Sequence, residues 1–397
     1  MTSTAAVAGP RTPPWTCPFC PLLCDDLSTR PDAAEASAAS FALAGGACAR
    51  AEAALQQFGA EPSRAAPLID GRACSLDEAV GAAAGVLRSS RQPLFGGLGT
   101  EVAGARALYR LACATGAISD AAEGRALMHS LRALQDRGSF TTTLAEVRAR
   151  ADVVLLLEPS HVERTPRLFE RLGVIVDVLP LHGDLFATLA LLAAAVDSRA
   201  LHDAPADIVA LAAKLRAARY AVIVGATGSL PAHGELIVEA VGRIVGQLNL
   251  TTRAAALWLG GGNGASTVNH AFTWLSGLPL RSRAGPRGLE HEPVCFDADR
   301  LLAEGAVDCV LWTSSFDAQS TPPTTTLPLI VIGHPALASS CTRAGSVFIP
   351  VSTPGIGSAG HLFRTDGTLV LPLFAARPDT LPTLADVVSR IEQAIAP

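Results

Sequence analysis

Apolar residues along this chain fall into two alternating patterns. Short, nearly unbroken runs rich in Val, Ile and Leu occur at residues 93–98, 153–158, 173–179, 220–225, 255–259, 308–312, 327–332 and 346–350. Such runs predict strands buried on both faces, because a strand with one wet face alternates apolar with polar residues. Between them, helical periodicity over residues 78–88, 102–115, 127–134, 164–171, 205–218, 234–248 and 265–275 predicts helices that pack by one face. Ser75-Leu76-Asp77-Glu78 reads as an N-cap for the first of them. The longest apolar run, Leu185 to Val196, is closed by Asp184 and Asp197. It is too short to span a bilayer and reads as a buried helix. Strands alternating with helices imply parallel sheets covered on both faces, an α/β fold.

The pattern changes at both ends of the chain. Residues 15–68 read as loops around an alanine-rich helix at 32–43, with a further helix starting over 50–58. Late in the chain, 352–360 is a Gly/Pro-rich loop and Thr365-Asp366-Gly367-Thr368 a hairpin turn before a strand at 369–374. The expected organisation is a disordered tail over 1–14, a cysteine-rich iron–sulfur-type segment over 15–68, and an α/β unit over 69–200. A second α/β unit with a C-terminal loop and hairpin follows over 201–397.

Composition adds exclusions. At 397 residues, 49% apolar and 17% charged, the chain is long and apolar enough for two or three buried cores and is no disordered protein. A mean hydropathy of +0.34 predicts apolar surface covered by partner subunits. Net charge is −5, with one lysine, Lys214, and no basic cluster, which argues against nucleic acid. Residues 1–14 show neither a charged nor an apolar targeting region. Of nine cysteines, Cys74, Cys113, Cys295, Cys309 and Cys341 lack paired spacing, as expected of a cytoplasmic protein with reduced thiols.

The other four carry the candidate chemistry. Cys17, Cys20 and Cys24 are spaced C-x2-C-x3-C, and Cys48 follows in Gly46-Ala47-Cys48. Four thiolates on a short loop suit one [4Fe–4S] cluster or one tetrahedral zinc; the alternative is a set of buried or disulfide-bonded cysteines. Asp25-Asp26 could accept hydrogen bonds from the loop or cap a helix. The glycine loops at 96–99 and 225–229 read as plain strand-to-helix turns, since neither G-x-G-x-x-G nor G-x-x-x-x-G-K is present. Gly260-Gly261-Gly262-Asn263-Gly264 is either a tight turn or a binding loop. His270 and His361 could line a cleft or sit on the surface; no H-E-x-x-H or G-x-S-x-G pattern appears.

Read together, these residues resemble the B subunit of formylmethanofuran dehydrogenase, a branch of the molybdopterin oxidoreductases. C-P-F-C-P-L-L-C-D-D-L followed by G-A-C is similar to the family's cluster-binding opening, with Cys17, Cys20, Cys24 and Cys48 at the ligand positions. The stretch from Leu134-Gln135-Asp136 through Thr141-Thr142-Thr143 to Ala151-Asp152, Thr273 to Pro279, Thr353-Pro354-Gly355-Ile356 and Arg364-Thr365-Asp366-Gly367 are family-like in order along most of the chain. The resemblance implies a small cluster-binding segment on two doubly wound α/β units.

One departure shapes the functional expectation. In active members the strand matching 93–98 leads to a Cys or selenocysteine that ligates tungsten or molybdenum. Here Gly96, Thr100 and Arg106 keep the register and Val102 takes that position. The family's C-H-G-P-S stretch corresponds to Ala126-Leu127-Met128-His129-Ser130, so its histidine becomes Leu127. Neither side chain can bind a metal or move a proton. The resemblance then implies a catalytically silent B subunit of the formyltransferase/hydrolase complex of methylotrophic bacteria, without molybdopterin or tungsten, scaffolding A-, C- and D-type subunits and their methanofuran-type carrier. That complex passes formyl from tetrahydromethanopterin to the carrier and releases formate in one-carbon metabolism. Two alternatives stay open: an active molybdenum or tungsten formylmethanofuran or formate dehydrogenase subunit, and a free-standing metal-binding module. The four cysteines could keep a structural cluster, hold zinc or bind nothing.

Overall fold

The structure, a computed structural model, describes residues 14–31, 41–44, 48–58, 65–159, 161–199 and 202–396. Two sheets organise it. In the larger, Ile118–Ser119, Pro93–Gly99, Cys309–Ser314, Leu329–Gly333 and Ser346–Pro350 lie side by side in that order and run parallel. Antiparallel hairpins close both edges: Ser282–Gly285 with Gly288–His291, and Leu68–Ile69 with Arg72–Ala73. The smaller sheet is wholly parallel, in the order Arg253–Leu259, Tyr220–Ala226, Val153–Leu156, Val176–Val178.

The unbroken apolar runs occupy these strands, and Pro93–Gly99 and Tyr220–Ala226 are buried along their whole lengths. Both sheets, however, draw strands from either side of residue 200. The chain builds part of the larger sheet by residue 119, forms the smaller one between 153 and 259, and returns to the larger sheet from 282 to 350. A division at 200/201 therefore does not describe the packing. Strand periodicity is local in sequence and pairing is not, so the return was invisible in the pattern.

Alternation within the smaller sheet decides what covers it. Val153, Leu155, Ala221 and Ile223 face the helices Leu185–Val196, Ala206–Ala217 and Gly234–Leu248. Val154, Leu156, Val222 and Val224 face the other way, onto Trp15, Phe19, Leu22, Leu27 and the four N-terminal cysteines. The cysteine-bearing segment is thus a covering layer of a parallel sheet.

Several elements follow their local chemistry closely. The helix Val102–Thr115 has the bounds that its periodicity predicts and ends on Gly116 in the left-handed region. Leu76–Ser89 starts with a capping box in which Ser75 N donates to Glu78 Oε2 at 2.8 Å. Three expectations need correction. The helix predicted over 164–171 is broken into His161–Arg164 and Leu168–Leu172, because Pro166 has no N–H to continue the ladder. The end of the helix predicted over 32–43 is instead the strand Phe41–Ala44, paired with Ser28–Pro31; residues 32–40 lie outside the described residues. Gly360 belongs to a strand, since Gly360–Phe363 pairs with Val370–Leu373 across the turn at 364–369. Of the tail expected over 1–14, residues 1–13 lie outside the described residues. The C-terminal helix Leu384–Ile395 was not anticipated; it packs across Leu76–Ser89 and Val102–Thr115 and starts with its own capping box at Thr383.

Candidate functional site

The residues noted in the sequence fall in two regions, and these adjoin: Thr365 N, on the wall of the second, donates to Pro21 O, in the cysteine loop of the first, at 2.9 Å. The first is the cysteine loop. Cys17 N donates to Cys24 O at 2.9 Å and Leu23 N to Cys20 O at 3.2 Å, with Leu23 in the left-handed region, so the three thiols turn inward together. Cys48 joins them as the residue ahead of the helix Ala49–Gln56. The loop is pinned from outside by Trp15 Nε1, which donates to Gly355 O at 2.7 Å, and by Arg50 Nε, which donates to Phe19 O at 2.8 Å.

All four cysteines are buried, and none is in a disulfide. Burial pushes the Cys17 and Cys20 thiols up, Cys20 to about 11, and the neighbouring cysteines add to the shift. As a donor set, four thiols suit zinc or an iron–sulfur cluster. As a geometry they do not close around an ion: among the described residues no three His, Cys, Asp or Glu side chains are grouped to hold a metal. In this structure they pack as apolar members of a core.

Asp25 and Asp26 have a definite role here. Arg167 Nη1 and Nη2 donate to the two Asp26 oxygens at 2.9 and 2.8 Å, and Arg171 Nη2 reaches Asp26 at 2.6 Å and Asp25 at 3.2 Å. The pair is therefore an anchor that ties the cysteine loop to the helix Leu168–Leu172. Burial works against the Asp26 carboxylate, but the Arg167 hydrogen bonds and the charges of Arg171 and Arg167 outweigh it and hold its carboxyl below the usual range.

Val102 is the first residue of its helix and is half-buried. The helix start is satisfied internally, since the Glu101 carboxylate accepts from Ala103 N and Gly104 N at 2.7 Å each. Thr100 lies against Gly264, whose backbone leaves no room for a side chain there. Two residues before Val102, the Thr100 hydroxyl is buried without a partner among the described residues. The isopropyl group of Val102 has no lone pair with which to bind a metal.

The second region is a cavity of about 760 Å³. It lies between the helices Gly124–Arg137 and Gly234–Leu248, the edge strand Arg253–Leu259 and the start of the helix Ala265–Ser276. Leu127, Gly260, Gly261 and His270 all line it, so four residues noted separately in the sequence meet there. Val102 does not line it, and His361 is exposed on the strand Gly360–Phe363. His270 is held by its Nδ1 on Ser266 O at 2.7 Å and by stacking on Phe363, centroids 4.6 Å apart. The glycine run serves partly as a tight turn: Gly261 and Gly264 both have positive φ, and Gly264 brings its helix onto Thr100. The loop at 96–99 is strand, buried within the larger sheet, whereas at 225–229 the strand ends at Ala226 and Thr227–Ser229 form a short 3-10 turn.

Sequence reasoning missed Phe140, Trp258, Asn269 and Arg243, which also line the cavity. Phe140 arrives through an irregular segment that hydrogen-bonds along the edge strand, Ala256 N donating to Phe140 O at 2.8 Å. No local signal marks that approach. Asn269 was detectable in principle, as an amide on the otherwise apolar face of its helix.

No family model matches the chain. The B subunit of the formyltransferase/hydrolase complex Fhc of Methylorubrum extorquens is 30% identical over 339 residues, spanning 79% of this chain and 93% of the relative. A polypeptide in the crystal structure of the formyltransferase/hydrolase complex FhcABCD from Methylorubrum extorquens, in complex with methylofuran, superposes with a TM-score of 0.74 at 29% identity. That match covers 83% of this chain and 98% of the other, so the α/β scaffold described above is shared almost end to end. With identity and coverage agreeing in sequence and in structure, this chain belongs to the family of B subunits of formyltransferase/hydrolase complexes.

Proposed function

We propose that the chain is a catalytically silent, structural subunit of a cytoplasmic formyltransferase/hydrolase-type complex, assembled with A-, C- and D-type subunits. The complex would pass formyl from tetrahydromethanopterin to a methanofuran-type carrier and release formate, with those reactions on other subunits. The observation that carries the reading is Val102. The helix Val102–Thr115 presents an isopropyl group where the redox relatives are expected to present a metal-binding Cys or selenocysteine. Leu127, the second replaced position, forms part of an apolar cavity wall.

Two features support membership in a complex. Large apolar side chains stand exposed, Ile175 at 88%, Leu250 at 73% and Trp274 at 65%, and partner subunits would cover them. Among the described residues no helix is long and apolar enough to cross a membrane, so these side chains are read as subunit contacts. On this reading the four N-terminal cysteines act as packed thiols that complete the cover of the smaller sheet.

Purifying the tagged chain from its native host and measuring tungsten, molybdenum, iron and zinc per chain tests both parts. The expected result is co-purification of further subunits, with tungsten and molybdenum below about 0.1 per chain, since Val102 offers a metal no lone pair. Stoichiometric tungsten or molybdenum would overturn the silent reading, and recovery as a stable lone monomer would overturn the complex. Stoichiometric iron or zinc, lost on replacing Cys17 and Cys20, would overturn the packed-thiol role.

A further inference from the structure

The structure assigns the 760 Å³ cavity as a binding site for a small molecule with an apolar body and an anionic end. Its volume is in the range of sites that enclose a small ligand. Its walls are apolar, with Leu127, Leu131, Leu134, Phe140 and Val238 facing the space. What sets the ligand's chemistry is the balance of polar groups.

Donors in the cavity are left over. Asn269 is buried, and its Oδ1 accepts from Leu280 N at 3.0 Å, which fixes the amide so that Nδ2 is the free end. That nitrogen, the Trp258 indole N–H and the Arg243 guanidinium carry no hydrogen bond or ion pair among the described residues. Both carboxylates that line the cavity, by contrast, have partners. Asp366 accepts from Arg364 Nη2 at 2.7 Å, from Leu144 N at 3.2 Å and from Thr368 Oγ1 at 3.1 Å. Glu239 lies 4.0 Å from Arg137 at the rim. Free donors on a mostly apolar surface, with one unpaired cation at the mouth, select an acceptor-rich anion over a neutral or cationic guest.

The position favours a bound guest as well. The glycines 260 and 261 follow the carboxyl end of the strand Arg253–Leu259, the side on which open parallel sheets receive ligands. The two helix faces and the edge strand hold the walls rigid, so little ordering is needed on binding.

Isothermal titration of the full-length protein as purified, with any subunits that accompany it, tests the assignment using 2-naphthoate and 2-naphthylmethylammonium as probes. Saturable binding of one naphthoate per chain is expected, with the cation at least about tenfold weaker, the size of one charge-assisted hydrogen bond. Asn269→Leu should weaken naphthoate by a further tenfold or so. Because Asn269 also holds Leu280 N, the exposed rim variant Arg243→Glu is the safeguard: it leaves the core untouched and should weaken the anion about tenfold while sparing the cation. Equal affinity for the two probes, no saturable binding, or naphthoate affinity unchanged in Arg243→Glu would each overturn the site.

Discussion

Replacing Arg281 with Met is expected to cost about 3–5 kcal/mol at pH 8, lowering the denaturation midpoint by on the order of 10 °C. Arg281 is 4% exposed and is the single cation between two carboxylates. Its Nε donates to Asp120 Oδ1 at 3.2 Å, Nη2 donates to Asp297 Oδ2 and Nη1 to Pro293 O. Asp120, 2% exposed, also accepts from Ala298 N at 3.0 Å, and Asp297 caps the helix Ala298–Ala303. One guanidinium therefore fastens that helix to the hairpin edge of the larger sheet. Methionine fills the volume but leaves two carboxylates facing each other in a dry site.

The pH dependence gives the prediction its sign. Burial pushes Asp120 up to about 6, against the opposing charge of Arg281. A carboxyl raised above its unfolded value, about 3.9, gives up stability as pH rises from there through the folded value. Without Arg281 the folded value rises further, so the penalty grows with pH. At pH 5 Asp120 takes up a proton and needs no cation, and the loss in Arg281→Met should be clearly smaller than at pH 8. Thermal melts at the two pH values check this; a loss that is small or equal at both would contradict it.

The second large effect is expected at Gly264, where Ala should cost about 2–5 kcal/mol from a strained backbone plus overpacking. Gly264 has φ +76°, and an added Cβ would lie 2.3 Å from Thr100 O and 2.8 Å from Thr100 N. Both are backbone atoms, so no flexible side chain can move aside. Gly277, at the other end of the same helix, has φ +78° and open space around it. Gly277→Ala therefore carries the conformational cost alone, about 1–2 kcal/mol. The comparison isolates the close approach: denaturation midpoints that fall equally in the two variants would show that the contact with Thr100 contributes nothing. Because the helix behind Gly264 carries Asn269 and His270, the larger loss should also loosen the cavity wall.

How far the sequence could foresee these features depended on whether the cause was local. The strand runs at 93–98, 220–225 and 346–350 were legible because burial on both faces forces continuous apolar residues. The N-cap at Ser75 and the helix over 102–115 were legible because their determinants lie within one or two turns. The pairing that returns 282–350 to the sheet begun at 93–119 was not legible, nor was the strand at Phe41–Ala44 inside an alanine-rich stretch, where tertiary pairing overrides helix propensity.

The candidate site divides along the same line. The cysteine spacing was visible, but whether four thiols converge on an ion depends on the path between Cys24 and Cys48, which spacing does not determine. Leu127, Gly260, Gly261 and His270 were each visible as unusual residues. That they share one cavity follows only from the packing of distant helices against an edge strand. Arg281 carried no motif; its importance comes from two carboxylates that lie 161 residues before it and 16 after it.

The central claim is that this subunit supports a complex without doing chemistry at the Val102 and Leu127 positions. The most direct test is the rate of formyl transfer and formate release by the purified complex carrying Val102→Ala and Leu127→Ala together, beside the wild type. With both variants incorporated at full stoichiometry, the account predicts rates within about twofold, because neither side chain can move a proton or bind a metal. A tenfold or greater loss in an intact, fully assembled complex would contradict it.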